Sequence, residues 1–134
     1  MDFSELSHQT EIRDSLDKIL STHCSQEGLK EYDSNFKHDA NLLSLLSSNG
    51  YLGLGLNKKY GGSGEDLYEL GILFERLGYH AAPLSLSGCL VDVAQTIQKF
   101  SNNESCNKIL SSIIAGEIYT SAIFYNFHST VTNI

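Results

Sequence analysis

Four carboxylates, Glu65, Asp66, Glu69 and Glu75, fall within one helix-patterned segment of this 134-residue chain. Carboxylates buried together can divide acid and base roles. On an amphipathic helix such residues ordinarily make a solvated face, and the pattern favours that reading over a small enzyme built on Glu69 and Glu75. His23-Cys24 sets an imidazole beside a thiol, but adjacent residues on a helix do not face each other. His23 is expected to meet the negative end of a helix dipole, and Cys24 to pack. His8, His38, His80 and His128 stand singly, without metal spacing such as HExxH. Tyr119, Phe124, Tyr125 and Phe127 could line a ligand site, though such residues more often pack a sheet. Gly62-Ser63-Gly64 precedes a helix as a phosphate cradle would, yet it lacks the GxxxxGK[ST] pattern. Glu65 and Asp66 at that helix start would repel a phosphate. No residue is therefore assigned a catalytic, cofactor-binding or metal-binding role.

The elements that would position these groups follow from hydrophobic periodicity. A first helix is predicted over Leu6–His23, with Ile12, Leu16, Ile19 and Leu20 on one face and Ser4 or Ser7 as its cap. Residues 25–36 are polar and irregular. A second helix spans Asp39–Ser48, capped by Asp39, with Leu42, Leu43, Leu45 and Leu46 inward and Gly50 in the left-handed position after it. Between Gly50 and Gly64, Leu52, Leu54 and Leu56 alternate with glycine. That alternation predicts a buried connection in which neighbouring elements approach closely.

A third helix starts near Glu65, with Leu67, Leu70, Gly71, Phe74 and Leu77 on its apolar face and Gly78 at its end. Tyr79–Ser85, with the sole proline Pro83, reads as a loop. Helix four is expected over Ser87–Phe100 with Leu90, Val93, Ala94 and Ile97 inward. Helix five is expected over Ser105–Ala115 with Ile109, Leu110, Ile113 and Ile114 inward, closed by Gly116. Ile118–Phe127 is rich in β-branched and aromatic residues and predicts a strand, and Ser129–Ile134 is also β-prone.

The formal charge of −7 and the scattered basic residues argue against a nucleic-acid surface. Cys24, Cys89 and Cys106 show neither zinc spacing nor an even disulfide count, which suggests reduced thiols in a cytoplasmic protein. The first residues are not a signal peptide, and no apolar run is long enough to span a bilayer.

Three segments in order, Gly50-Tyr51-Leu52-Gly53, Tyr60-Gly61-Gly62-Ser63-Gly64 and Phe74-Glu75-Arg76-Leu77-Gly78, resemble the N-terminal helical domain of acyl-CoA dehydrogenases. Phe3, Gln9, Ile12-Arg13-Asp14, Ala82-Pro83 and Ala115-Gly116-Glu117 fit the same order, so the resemblance runs from about Phe3 to Ile123. Departures exist. The family usually has proline where Asn57 stands, and glutamates near Ser7 and His8. Tyr125-Asn126-Phe127 replaces a Thr-Glu-Pro-like segment that touches the flavin.

The resemblance implies an all-α fold, a five-helix up-and-down-like orthogonal bundle with one or two β-strands at the C-terminus. Residues 1–117 would form the helical domain and residues 118–134 the start of a truncated β-domain. In the family, FAD sits between a β-domain and a C-terminal helical domain. A glutamate of the latter removes the α-proton of an acyl-CoA while hydride passes to the flavin, and the first domain walls the acyl pocket. The expectation is a chain that binds no FAD alone and meets acyl-CoA only with the missing domains or a companion subunit. A non-catalytic module that dimerises through its terminal strands is the alternative.

Overall fold

Leucines at helical spacing set the architecture. The computed structural model describes residues 5–24, 30, 39–64, 67–101 and 103–122, and among them are five helices and no strand. They are α1 (Ser7–His23), α2 (Ala40–Ser48), α3 (Leu67–Tyr79), α4 (Gly88–Gln95 continuing as Thr96–Phe100) and α5 (Glu104–Ile114). The fold is the expected all-α bundle. Leu16, Leu20, Leu42, Leu46, Leu52, Leu56, Leu73, Leu90 and Leu110 are fully buried in one core. Each buried leucine contributes roughly 1.5–3 kcal/mol.

The second helix follows its sequence pattern closely. The Asp39 carboxylate accepts the Leu42 N–H at 2.9 Å, and Gly50 takes φ +80° after the last turn. Several details differ elsewhere. Ser7 does not cap α1, because it is already in the helix, and Ser4 lies outside the described residues. Gln9 reaches back instead, its Oε1 accepting the Leu6 N–H at 2.9 Å. Helix α3 does not stop at Gly78 but runs to Tyr79. The left-handed residue is Ala81, at φ 49°, and the Ala82 N–H closes the end on the Leu77 carbonyl. The first eight residues of α4 are π-helical rather than α-helical. Helix α5 starts one residue early because Asn103 caps it, accepting the Cys106 N–H at 2.8 Å.

The larger correction concerns the face of α3. Leu67 and Gly71 are exposed, while Glu69, Ile72 and Leu73 are buried with Leu70 and Leu77. Positions 69, 72, 73 and 76 recur at helical spacing, and that side of α3 meets α1. His8 and Gln9 of α1 reach Glu69, Arg13 reaches Glu75, and Asp17 reaches Arg76 and His80. The two helices thus run parallel, and the chain between them carries α2.

The glycine connection is buried as expected from Tyr51 to Leu56. It folds as two short 3-10 turns, Tyr51–Gly53 and Lys58–Tyr60. Its carbonyls are taken up internally: Gly53 O accepts from Leu56 and Ser63, Leu56 O from Gly64, and Asn57 O from Gly62. Gly62 admits no side chain, because a Cβ there would lie 2.5 Å from the Leu56 carbonyl carbon. The expected strand from Ile118 is not formed over residues 118–122, and its remainder and Ser129–Ile134 lie outside the described residues.

Candidate functional site

Glu69 sits near the start of α3 and is 2% exposed. Burying a carboxylate is unfavourable unless it is hydrogen-bonded. The seam with α1 supplies the bonds. Gln9 donates from Nε2 to Glu69 Oε1 at 3.0 Å, and His8 Nε2 lies 3.1 Å from the same oxygen. Gln9 therefore closes the N-terminus of α1 with one end of its amide and holds Glu69 with the other. The solvated face expected for the α3 carboxylates is overturned at Glu69 and holds at Glu75, which is exposed. The two do not meet as an acid–base pair. Glu75 bonds instead to Arg13 at 2.7 Å and Arg76 at 2.7 Å.

A charged chain continues along the seam. Arg13 binds Glu5 and Glu75, while Arg76 and His80 bind Asp17 at 3.2 and 2.8 Å. The Arg13 hydrogen bond holds Glu5 below its ordinary value, and hydrogen bonds from Arg13 and Arg76 do the same for Glu75. Burial pushes Asp17 up, but the His80 hydrogen bond and the Arg76 charge outweigh it and leave Asp17 lowered. Arg13 is raised by its bonds to Glu5 and Glu75. These groups hold one another in a continuous run of ion pairs and hydrogen bonds.

Beside Glu69 an open groove of about 510 Å³ runs between α1 and the glycine connection. Helix α1 contributes His8, Glu11 and Ile12. The end of α2 gives Asn49 and Gly50, and the connection gives Tyr51, Leu54 and Gly61–Ser63. The backbone N–H groups of Gly50, Gly61, Gly62 and Ser63 donate to Ser47, Lys58, Asn57 and Gly53 carbonyls. A flavin or coenzyme A pyrophosphate needs such donors or cations. This groove offers it Glu11 instead, so it does not fit either phosphate.

The other candidate residues are dispersed. His23 lies in the last turn of α1, and half-buried Cys24 packs against the core. Burial pushes the Cys24 and Cys89 thiols up, and all three cysteines are free. Cys89 faces the Ile118 carbonyl at 3.9 Å, and the Tyr119 hydroxyl donates to the Ser85 carbonyl. Glu65, Asp66, His38, Phe124, Tyr125, Phe127 and His128 lie outside the described residues. Among the described residues no group of His, Cys, Asp or Glu could hold a metal, and no helix is long and apolar enough to cross a membrane. Sequence reasoning missed the His8–Gln9–Glu69 cluster. The available signal was Glu69 at helical spacing from Ile72, Leu73 and Arg76.

The glycine connection is braced from the other side. Gln95 and Gln98 of α4 donate to the Gly55 carbonyl at 3.0 and 3.3 Å, and Gln98 Oε1 accepts the Asn57 N–H at 2.7 Å. Proline at position 57, usual in the family resembled, could not make that last bond.

Residues 7–117 match the family described as acyl-CoA dehydrogenase, N-terminal domain. No curated protein matches the chain. Among solved structures, a variant of the Tcur3481-Tcur3483 steroid ACAD is 27% identical, with a TM-score of 0.75, over 81% of this chain and 30% of that one. The ChsE4-ChsE5 complex from Mycobacterium tuberculosis is similar in fold, at 23% identity and a TM-score of 0.80, over 87% of this chain and 32% of that one. This chain thus spans under a third of the length of either.

Proposed function

Because this chain belongs to the acyl-CoA dehydrogenase family by its N-terminal domain, we propose that it is the helical wall of a flavoprotein that desaturates acyl-CoA thioesters. The observation that carries this reading is the family match over residues 7–117, together with a fold shared with the steroid ACAD variant. FAD, when bound, supplies the hydride acceptor of such a reaction. The groups that hold it and the base that removes a proton would come from a β-domain and further helices, on a longer chain or on a companion subunit. Residues 118–134 would begin that β-domain. The two-component names of both structural neighbours motivate the companion subunit, and the steroid ACAD name motivates a bulky polycyclic acyl group as one substrate to try.

In this reading the chain's own residues do no chemistry. The core and the α1–α3 seam make a rigid wall, and its edge at 118–122 continues toward the catalytic part. Flavin absorbance and acyl-CoA-dependent dye reduction test the proposal. The purified 134-residue chain should be colourless and inactive, and co-expression with a chain carrying the β-domain and terminal helices should restore both signals. A chain alone that retained flavin would overturn the assignment of the flavin site to other domains. A colourless chain that sediments as a dimer and gains no activity with any such partner would favour the dimerisation module.

A further inference from the structure

The groove between α1 and the glycine connection carries a ligand preference of its own, independent of the acyl-CoA reading. Most of its backbone and amide donors are used. The four backbone N–H groups at Gly50, Gly61, Gly62 and Ser63 close the connection on itself. The Asn49 side chain donates to Leu45 O at 2.8 Å, and Ser63 Oγ donates to Gly53 O at 3.3 Å. His8 turns Nε2 to Glu69. What remains are chiefly acceptors: the Asn49 Oδ1 and the Glu11 carboxylate, beside the Tyr51 hydroxyl, which can serve either way. Glu11 is exposed and has no ion-pair partner among the described residues. The seam carboxylates Glu5, Asp17 and Glu75, by contrast, are each held by an arginine. Half-buried Ile12 and buried Leu54 give the same groove an apolar floor.

An open trough does not enclose a small molecule, since small-ligand sites bury most of the ligand's surface. It can receive one side chain and its neighbour from a polypeptide. A guanidinium has five donors and no acceptor, and its planar fork pairs with carboxylates. We propose that this groove docks an arginine side chain, flanked by an apolar residue, from a partner polypeptide.

The probe is acetyl-Ala-Leu-Arg-Leu-Ala-amide, titrated into the isotope-labelled full chain and followed by amide chemical shifts. Saturable shifts should be confined to Gly50, Gly61, Gly62, Ser63 and their neighbours. Glu11→Gln should weaken binding on the order of threefold, the size of one partly exposed ion pair. Asp14→Asn, one turn along α1 and outside the groove, should leave binding unchanged. The proposal is overturned by an absence of shifts, or by equal shifts from a peptide with glutamate in place of arginine. Equal weakening by Asp14→Asn would reduce the effect to net charge and also overturn it. The same amides shifting when the chain alone is concentrated would make a second copy the occupant, against the proposal.

Discussion

The α1–α3 seam and the glycine connection are both rich in polar groups, and they satisfy them in opposite ways. The seam uses side chains on two parallel helices and the residues that flank them: Gln9 and His8 on Glu69, Arg13 on Glu5 and Glu75, Arg76 and His80 on Asp17. The connection uses its own backbone, with glycine wherever φ is positive or a Cβ has no room. Side-chain bonds can weaken one at a time. A backbone packed against backbone has no such latitude. The largest loss is therefore expected at Gly62. Gly62→Ala forces a methyl into the Leu56 carbonyl, and overpacking against backbone should cost more than about 3 kcal/mol. A urea midpoint shift measures it. A loss as small as that of an exposed surface change would put the two regions on the same footing.

Glu69 is the seam's counterpart to Gly62. Glu69→Ala leaves the buried Gln9 amide without the acceptor it now has, at about 2–3 kcal/mol. Glu69→Gln keeps an oxygen for Gln9 and should cost about half as much. If the two variants lose the same stability, hydrogen bonding at that oxygen is not what holds the seam.

Legibility in the sequence divides along the same line. Gly50 and Gly62 announce their backbone because few other residues fit those positions, and Asp39 announces a helix start because its oxygen caps an N–H. These features placed α2 and the buried connection correctly. Glu69 announced nothing, since a carboxylate reads the same in the sequence whether water or Gln9 solvates it. Its burial follows from which face of α3 meets α1, a tertiary choice that the pattern Leu67, Leu70, Phe74 and Leu77 assigned about one residue away. Gln9 as the closure of α1 was hidden likewise, because Ser4 and Ser7 are the better cap types.

Acid sharpens the contrast at smaller amplitude, because the seam pairs are partly exposed and such pairs contribute little each. Glu5, Asp17 and Glu75 have folded-state values below the ordinary 4.5, 3.8 and 4.5. A lowered folded value means the unfolded chain binds more protons, so the stabilisation is present above the ordinary values and lost as pH falls through the folded ones. The urea midpoint should be flat from neutral pH down to about 5 and then decline. Arg13→Met removes the partner shared by Glu5 and Glu75 and should flatten that decline. Amide exchange in the glycine connection should not respond to pH in this window beyond the intrinsic exchange rate. An acid limb unchanged by Arg13→Met would place the titrating carboxylates elsewhere.

The smallest effect is expected at Asn57, where the two modes of satisfaction meet. Its φ of −64° already suits proline, and its N–H is held by Gln98 at 2.7 Å. Proline would remove that bond, about 1 kcal/mol, and the Asn57 Oδ1 that accepts the Lys59 N–H at 3.0 Å, about another 1 kcal/mol, against a gain of about 0.4–1 kcal/mol from stiffening the unfolded chain. Asn57→Pro should therefore cost about 1 kcal/mol. Gln98→Ala alone should cost about 1 kcal/mol, since it removes the contacts to Asn57 and Gly55. In the Gln98→Ala background only the Lys59 N–H cap is left for proline to break, so Asn57→Pro should be close to neutral, within about 0.5 kcal/mol. The resulting coupling of about 1 kcal/mol is the quantity a double-mutant cycle isolates. Strict additivity would mean that the Gln98 amide adds nothing to a connection whose backbone already closes on itself.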